Sequence, residues 1–551
     1  MRITRTRAVA GFAATALMLT LTACSTGGTE EETEAGAIDL ASQVGYMEDY
    51  AAGETFVASE PVQFSLLYRD HPNYPFKADW SIVKHLEEDN NVTFEFENVP
   101  LADLAQKRAV LINSGDAPEI MPVTYPGDEV QFIGGGALLP ISDYLEYMPN
   151  LQQKIEDWDL QEEFDAQKQA DGKFYMIPGI HEAAKPQYSI AIRQDLWDKA
   201  DLDHPKTYEE FAEQLAVIKE QNPDLAYPMT DRWSINGPIE ATLQTAGPNF
   251  GTVAGWGYGL GLQWNADEET YVYAGASDEY KSLVEYFNGL VTDGLLDPEA
   301  VTQEDEQATA KIGSGQVAAI ATNDQVINEY RAALEESGVE GAVLKQIVVP
   351  GGPAGDFISG GTRRESGLMF SAEVAESDHL LAMLQYVDWM YYSDEGLEFA
   401  KWGVEGETFT REGDKRVLLD DIKWGSLGDP DAPKLLNADF GYYNGVWSIA
   451  HGSTAELDKS MLSDEVVEFI DGMNAVKEEL PIPPTVAYSE VDQEMAGLQQ
   501  TALQDIVSQN TAKFILGDRP MSEWDAYVAE LEGAGMQEYV DRANAAAGLA
   551  G

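Results

Sequence analysis

Cysteine, histidine and basic side chains are scarce in this chain. Cys24 is the only cysteine among 551 residues, so no intramolecular disulfide can form and the fold must be held together by packing. Lysine and arginine together number 34 against 96 aspartates and glutamates, which gives a net charge of −62 at pH 7. Such an acidic surface repels the phosphate backbone, and this excludes nucleic acid as a partner.

The sequence also lacks the motifs of common catalytic and cofactor sites. No HExxH or other paired spacing typical of zinc ligands occurs among the six histidines, which stand at positions 71, 85, 181, 204, 379 and 451. The Gly-x-Ser-x-Gly nucleophile motif is absent, and no Gly-Lys-Ser/Thr follows the glycine-rich stretches. We therefore predict no metal, no cofactor and no enzymatic activity. Two alternatives stay open, a surface-anchored glycoside hydrolase and a carbohydrate-binding adhesin, because the carboxylates are too numerous for counting to exclude a catalytic pair.

The first 24 residues have the pattern of an export signal. Three arginines within residues 1–7 precede an apolar run over 8–21, which is too short to span a membrane. The run ends in the sequence LTAC at 21–24, which resembles the lipobox of bacterial lipoproteins. That resemblance implies a signal peptide over 1–23 and a diacylated, palmitate-bearing Cys24 as the new N-terminus. An ordinary secretory signal with a nearby cysteine is the alternative.

The segment after this cysteine begins small, polar and acidic, with four glutamates between positions 30 and 34. We predict a lipid-anchored, flexible acidic tether over residues 24–58. Removing residues 1–23 takes away three arginines and no acids, which leaves 31 basic against 96 acidic residues and a net charge of −65. No second apolar stretch of spanning length occurs, and the remaining chain is too long for one core, so two or more lobes are expected.

Strand and helix patterns alternate along the rest of the chain. In the first part, period-2 and period-3.6 spacing predict strands at 62–68, 92–96 and 119–123 and helices at 80–88 and 101–113. This order is typical of a doubly wound α/β lobe. A second lobe of the same kind is predicted from a strand at 188–193, a helix that Thr207 caps and an amphipathic helix at 278–293.

Five segments in the same order resemble a known family. They are 114–120 (SGDAPEI), 134–141 (GGGALLPI), 171–178 (DGKFYMIP), 313–318 (GSGQVA) and 388–396 (DWMYYSDEG), the last followed by 402–406 (WGVEG). Together they are similar to family 1 of the extracellular solute-binding proteins of ABC importers, which includes maltose-binding proteins. The fifth segment resembles the large lipoprotein branch of that family.

This resemblance implies an α/β fold of two doubly wound lobes with hinge crossings, like periplasmic binding proteins of type II. It places lobe I at 59–180 and 355–400 and lobe II at 181–354 and 401–551. Crossing segments are expected near 178–186, near 349–361 and around Trp402. Pro178-Gly179 and the run Pro350-Gly351-Gly352-Pro353 support the first two independently, because such residues break strands and helices.

The resemblance also implies a function and a place in the cell. The chain is expected to bind a carbohydrate, most simply an oligosaccharide, between its lobes and to pass it to the permease subunits of an ABC importer. A monomer is expected, in contact with the membrane through the lipid alone. A lipid-tethered binding protein suits a cell without an outer membrane, so the outer face of a Gram-positive cytoplasmic membrane is the expected location.

Candidate ligand contacts are aromatic and polar residues in loops or at strand ends, because sugars present an apolar ring face edged by hydroxyls. The predicted set comprises Asp79, Trp80, Tyr125, Asp128, Glu182, Trp233, Trp256, Tyr258, Asn323, Asp324, Arg363 and Trp447. Some of these residues have an alternative role in the fold. Trp256 and Tyr258 are equally compatible with packing of an insertion, Asp79 with capping of the first helix, and Arg363 with a surface ion pair. Trp389, in mid-helix, is expected in the core.

The lipobox generates a direct prediction. Cys24→Ser removes the thiol that receives the diacylglyceryl group, so the protein is expected to leave the membrane fraction. Immunoblotting of membrane and soluble fractions from cells that produce the parent or the variant measures this. Equal membrane retention of the two proteins contradicts lipidation at this residue.

Overall fold

A computed structural model of the chain describes residues 36–71, 74–234, 237–358, 363–413, 415–424, 433–444, 446–447 and 452–549. The chain divides into two compact units, Met1–Ala37 and Ile38–Gly551, and the second unit contains the fold. The predicted signal peptide and Cys24 lie outside the described residues. No helix in the described part of the chain is long and apolar enough to cross a membrane.

The strands of the described residues are short, and most lie in two sheets. In chain order they are β1 (Val62–Asp70), β2 (Val92–Pro100), β3 (Ile120–Thr124), β4 (Met176–His181), β5 (Ser189–Arg193), β6 (Leu262–Asn265), β7 (Thr270–Tyr273), β8 (Ala319–Thr322), β9 (Leu344–Ile347), β10 (Arg364–Phe370), β11 (Phe409–Glu412), β12 (Lys415–Leu418), β13 (Ile422–Lys423), β14 (Lys434–Leu435) and β15 (Gly452–Ser453).

The α-helices separate these strands along most of the chain and dominate its C-terminal part. They are α1 (Ser81–Asn90), α2 (Leu104–Ser114), α3 (Val130–Ile133), α4 (Pro149–Asp157), α5 (Gln161–Asp165), α6 (Gln194–Lys199), α7 (Tyr208–Gln221), α8 (Glu240–Phe250), α9 (Asp278–Thr292), α10 (Asp305–Gly313), α11 (Val326–Glu336), α12 (Leu380–Tyr392), α13 (Asp394–Trp402), α14 (Ala455–Met461), α15 (Asp464–Val476), α16 (Glu490–Leu516), α17 (Trp524–Gly533) and α18 (Met536–Ala546).

The larger sheet has six strands in the order β15-β4-β10-β3-β1-β2. All of them run parallel except β10, which is antiparallel to both of its neighbours. Helix α12 packs against this sheet and is buried along its whole length, as the near-continuous apolar sequence of 380–392 requires. We call this sheet and the elements that share its core lobe I, which comprises the described residues of 38–181 and 363–461.

The smaller sheet has three strands in the order β8-β5-β9, with β5 antiparallel to both neighbours. A second hydrophobic core joins this sheet to helices that include α7, α8, α9 and the C-terminal helices α15 to α18. We call this body lobe II, which comprises the described residues of 189–349 and 464–549. Within the described ranges, three segments lie between the lobes, at 182–188, at 350–358 and at 462–463.

Most of the predicted elements agree with this structure. Each of the three early strands and both early helices lies within a few residues of its predicted position. Thr207 caps α7 as predicted, because its side chain accepts a hydrogen bond from the amide of Glu210. Asp79 does not cap α1, since Trp80 occupies the N-cap position.

The predicted lobe boundaries differ from the packing after residue 400. Ile422, Leu436 and Trp447 belong to the core of lobe I, and Leu457 of α14 packs on Trp402. The described residues of 401–461 therefore lie in lobe I rather than in lobe II. The third crossing follows α14 instead of lying around Trp402, because Phe409, Ile422, Leu436 and Trp447 are buried in the cores of lobe I.

Residues 38–58 pack on lobe I and are not a free tether, in contrast to the prediction. The segment runs along α12 at a constant offset. The side-chain oxygen of Gln43 accepts a hydrogen bond from the amide of Leu381 (2.9 Å), and Met47 and Gln385 exchange hydrogen bonds in both directions (2.8 and 3.0 Å). Phe56 completes the contact with a fully buried ring. We call residues 43–56 the strap.

The strap also contacts a buried carboxylate. Asp388 in α12 accepts hydrogen bonds from the hydroxyl of Tyr50 (2.9 Å), from the amides of Asn150 and Leu151 (2.9 Å each) and from the side chain of Asn150 (2.7 Å). The two amides belong to the first turn of α4, whose N–H groups have no partner within the helix. Asp388 therefore joins the strap, α12 and α4, and its burial raises its pKa to about 6.

The strap predicts an effect on stability. Tyr50→Phe removes a hydroxyl that donates to Asp388 and accepts from Asn150, so the free energy of unfolding is expected to fall by about 1–2 kcal/mol. Urea unfolding of the chain without residues 1–24 measures the loss. Tyr46→Phe is the matched control, since the structure gives the Tyr46 hydroxyl no hydrogen bond within the described residues. An equal loss in the two variants contradicts the role of the Asp388 network.

Candidate ligand-binding site

The strand directions in lobe I bring several chain ends to one edge of its sheet. The parallel strands β1, β3, β4 and β15 end at Asp70, Thr124, His181 and Ser453, and the antiparallel β10 begins beside them at Arg364. The crossing segments start at this same edge. Loops at the carboxyl ends of parallel strands are where open α/β sheets place their ligands.

Lobe II presents the corresponding edge. Ser189 at the start of β5 pairs with Thr322 at the end of β8, and Ile190 pairs with Ile347 at the end of β9. Met229 forms a parallel bridge to Ala319, so the chain leaves toward the same edge after residue 230. The crossing segments therefore join two facing sheet edges, and the space between these edges is the cleft.

Three aromatic side chains meet at the lobe II edge. The ring centroids of Tyr188, Trp233 and Trp256 lie 5.4–5.6 Å apart in all three pairs, with interplanar angles of 54–83°. Each ring is only partly buried. We call these residues the aromatic trio. A cluster of half-exposed rings at a cleft edge offers apolar faces on which a sugar ring can stack.

Trp233 is held in an unusual backbone conformation. Its φ angle of 66° lies in the left-handed region, which bulky side chains rarely adopt and which is found mostly where surrounding contacts enforce it. Its amide donates to Asp305 (3.3 Å), and the guanidinium of Arg232 lies 5.4 Å from its ring centroid. Arg232 itself is fixed by Asp305 and Glu329 at 3.1 and 3.0 Å. These contacts orient the indole.

Asp231, the residue before this arginine, carries a carboxyl group that is shielded from water. Asp231 is fully buried, and burial raises the pKa of its carboxyl from 3.8 to about 8. One oxygen accepts a hydrogen bond from the hydroxyl of Thr242 (2.8 Å), and the other has no partner among the described residues. Asp231 is therefore neutral at pH 7.

At the lobe I edge, Tyr125 is the prominent exposed ring. Its side chain is 52% exposed, and its amide donates to the carboxylate of Asp128 (3.2 Å). Asp128 also pairs with the buried guanidinium of Arg108 at 2.6 Å, and Arg108 donates to the carbonyl of Val123 (3.3 Å). The carboxylate of Asp128 thus fixes the turn, while the ring of Tyr125 remains free to contact a ligand.

Four other predicted contacts lie where the chain leaves the sheets, and three of them already have structural partners. Glu182 accepts from the amide of Ala455 at the start of α14 (2.7 Å). Arg363 donates to the carbonyls of Trp158, His181 and Glu182. Asn323 accepts from the amides of Gln325 and Val326 and so caps α11. Asp324 is the fourth, and burial raises the pKa of its carboxyl.

Of four further predicted contacts, three pack inside a lobe and one is exposed in the loop before α1. Trp80 and Trp447 are 1% and 0% exposed in the core of lobe I, so they offer a ligand no surface, and Asp79 is exposed in the loop before α1. Tyr258 packs in lobe II against the rings of Tyr273 and Tyr280 at 6.2 and 6.0 Å. The rings of these three aromatic residues therefore pack on the cores instead of extending into the cleft.

Tyr188 was not among the predicted ligand contacts. It stands directly before β5, and in the sequence it is the first aromatic residue of an apolar strand that follows a proline-bounded crossing. An aromatic residue at such a junction must lie at the sheet edge, because the strand fixes the direction of the chain. The place of Tyr188 directly before β5 is the sequence feature that indicates a position at the cleft edge.

No group of three or more His, Cys, Asp or Glu side chains that could hold a metal ion occurs in the described ranges. The arrangement thus offers stacking surfaces and hydrogen-bonding groups between two lobes that are linked by three segments. Such an architecture defines a two-lobed binding protein. The model of the bacterial extracellular solute-binding protein family matches residues 73–391, and the chain belongs to that family. It is a binding protein and not an enzyme.

Curated relatives agree with this assignment. The chain is 22% identical over 539 residues to the fructooligosaccharide ABC transporter substrate-binding protein FusA of Streptococcus pneumoniae, covering 89% of this chain and 90% of that protein. It is 21% identical over 477 residues to the polygalacturonan/rhamnogalacturonan-binding protein YtcQ of Bacillus subtilis, covering 83% and 86%. Lipoprotein LipO of Bacillus subtilis is 20% identical over 267 residues, which are 48% of this chain and 51% of that protein.

Solved structures confirm the predicted fold class. An extracellular solute-binding protein from Bifidobacterium longum subsp. infantis matches with a TM-score of 0.67 at 19% identity, covering 90% of this chain and 99% of that chain. FusA of Streptococcus pneumoniae in complex with kestose matches with a TM-score of 0.61 at 18% identity, covering 88% and 99%. Likeness at this level of identity establishes a fold of the type II periplasmic-binding-protein kind.

The buried Asp231 predicts a dependence of stability on pH. Its folded pKa of about 8 exceeds the unfolded value of 3.8, so its favourable contribution is complete below pH 3.8 and is lost as the pH rises through 8. Asp231→Asn replaces the carboxyl group with an amide that does not ionise, so the variant does not lose this stability as the pH rises. The parent is expected to lose stability relative to the variant by about 1 kcal/mol per pH unit between these values, measured by urea unfolding at several pH values. A difference that stays constant with pH contradicts the assignment.

Proposed function

We propose that the chain is a lipid-anchored, extracellular substrate-binding protein of an ABC importer, which captures an oligosaccharide between its lobes and delivers it to the permease. The aromatic trio carries this proposal. The three partly buried rings of Tyr188, Trp233 and Trp256 lie together at one cleft edge, where Arg232 and Asp305 hold Trp233, and they suit the stacked faces of neighbouring sugar rings.

The named ligands of the relatives support a carbohydrate. FusA is named for fructooligosaccharide and YtcQ for polygalacturonan and rhamnogalacturonan, and both match more than four fifths of this chain. An oligosaccharide also suits a site with contacts on both lobes, since the exposed ring of Tyr125 lies on lobe I and the aromatic trio lies on lobe II. A ligand held by both edges keeps the lobes closed, and a closed form is what a permease can distinguish from the empty protein.

The proposed anchor rests on the N-terminal sequence and on one relative. A signal peptide over 1–23 followed by Cys24 suits lipidation, and LipO is named a lipoprotein. We place the protein on the outer face of a bacterial cytoplasmic membrane, as a monomer that contacts the membrane through its lipid. The proposed ligand contacts are the aromatic trio and Tyr125, with Asp324 as a hydrogen-bonding neighbour.

Calorimetric titration tests the function. The chain without residues 1–24 is expected to bind a short oligosaccharide such as kestose, nystose or trigalacturonate and to gain thermal stability with it. Trp233→Ala or Trp256→Ala is expected to lower the affinity at least about tenfold, which corresponds to about 1.4 kcal/mol of lost stacking.

Trp264→Ala is the matched control. Trp264 is also a half-buried tryptophan of lobe II, but it contacts Tyr271 on the β6–β7 hairpin and lies outside the trio. This variant is expected to bind like the parent. Equal losses in all three tryptophan variants, or conversion of the sugar to products during incubation, contradict a binding site at the trio.

A further inference from the structure

Arg69 is a buried cation at the lobe I edge of the cleft. It is the next-to-last residue of β1, two positions after Leu67, and alternate residues of a strand share a face. Leu67 packs in the small core formed with Val99 and Ile112, whereas Tyr68 faces the main core of the lobe. Arg69 therefore extends this small core toward the carboxyl end of β1, and its side chain is 8% exposed.

The guanidinium of Arg69 has almost no hydrogen-bonding partner. Its one hydrogen bond within the described residues runs from Nη2 to the hydroxyl of Tyr74 at 3.5 Å, the outer limit for such a contact. Its Nε is buried and has no acceptor, and no carboxylate of the described chain lies within ion-pair distance. The neighbouring Asp70 is engaged by the amide of Phe76 (2.9 Å).

The lack of a carboxylate partner distinguishes Arg69 from most other cations at the cleft edges. Four other cations at the cleft edges have a carboxylate partner: Arg108 with Asp128 at 2.6 Å, Arg232 with Asp305 at 3.1 Å, Lys185 with Asp458 at 3.8 Å and Arg363 with Glu163 at 3.7 Å. Arg364 donates to the carbonyl of Glu163 at 2.9 Å. The chain has 96 acidic side chains, so a shortage of carboxylates does not explain why this guanidinium of Arg69 has no carboxylate partner. Buried donors without acceptors are rare in native structures and are costly for the fold.

A bound ligand is the most direct source of the hydrogen-bond acceptors that the guanidinium of Arg69 lacks. The flat guanidinium presents its N–H groups in a fixed plane, which suits two neighbouring oxygens of a sugar ring. Those oxygens belong either to hydroxyl groups or to the carboxylate of an acidic sugar. The charge around the cleft favours hydroxyl groups, because Asp70, Glu182 and Asp324 lie at the same edges and the chain is strongly acidic.

We propose that Arg69 is the hydrogen-bond donor through which lobe I holds the ligand, and that this ligand is an uncharged oligosaccharide whose hydroxyl oxygens complete the guanidinium. The inference rests on the proposed function, since it names the class of sugar for the same cleft. Arg69 would thus add a hydrogen-bond donor on lobe I to the aromatic stacking surface of lobe II.

Two substitutions test it in the full chain, extracted from membranes with detergent. Arg69→Met keeps much of the apolar stem and removes the charge, and Arg69→Lys keeps the charge but not the planar fork. Calorimetric titrations use kestose and nystose as uncharged probes and trigalacturonate as the acidic probe, at about 50 and about 500 mM salt. Arg411→Gln, in the β11–β12 hairpin of lobe I, is the control.

For the uncharged probes we expect Arg69→Met to lower the affinity at least thirtyfold, Arg69→Lys by about tenfold, and the control to leave it unchanged. The parent affinity is expected to vary less than about twofold with salt, because hydroxyl groups carry no charge. Unchanged binding by Arg69→Met overturns the role of Arg69. Salt-dependent binding of trigalacturonate in preference to the uncharged probes overturns the ligand class.

A second measurement does not depend on the choice of sugar. Removal of an uncompensated buried charge is expected to raise the melting temperature of the ligand-free Arg69→Met protein by roughly 2 °C or more. A lower melting temperature assigns Arg69 to the fold and overturns the inference. If the parent binds none of the three sugars, the proposed function fails, while this measurement still decides whether Arg69 is a structural residue.

Discussion

The whole molecule depends on one constraint, that the chain returns to the same sheet edge each time it passes between the lobes. In lobe I this is possible because β10 alone runs antiparallel, so it starts at the edge where β4 and β15 end. In lobe II the first strand, β5, is antiparallel to β8 and β9 and therefore starts where both of them end. The linking segments and the ligand-facing loops consequently share one surface, and a relative rotation of the lobes changes the cleft without disturbing either core.

Polar contacts between the linking segments reinforce this arrangement. Arg363, directly before β10, donates to the carbonyl oxygen of Glu182 in the first linking segment and to those of His181 and Trp158. Lys477, whose side chain is fully buried, binds the carboxylate of Asp356 and the side-chain oxygen of Asn249 at 3.0 Å each. Asn249 lies at the end of α8, a few residues before Trp256, so the position of one stacking ring is tied to the geometry of the linkers.

Elements with strong local patterns were predictable from the sequence, and features that depend on distant contacts were not. The alternation in 62–68 and the Thr207 cap are determined by neighbours in the chain, and both agree with the structure. The strap and the segment 401–447 give no comparable local indication, because their burial depends on α12 and on the first sheet. Among the candidate contacts, Trp233, Trp256 and Tyr125 were predicted from their loop positions, whereas the burial of Trp80 and Trp447 depends on distant residues of the lobe I core.

The strap also determines how the protein bears a mechanical load. A pull on residue 38 acts along the axis of α12, parallel to the row of contacts at Gln43, Met47 and Tyr50. Contacts arranged in this way resist in shear, so they share the force and do not break one after another. A force applied at residue 38 is therefore taken up within lobe I, and lobe II carries none of this load.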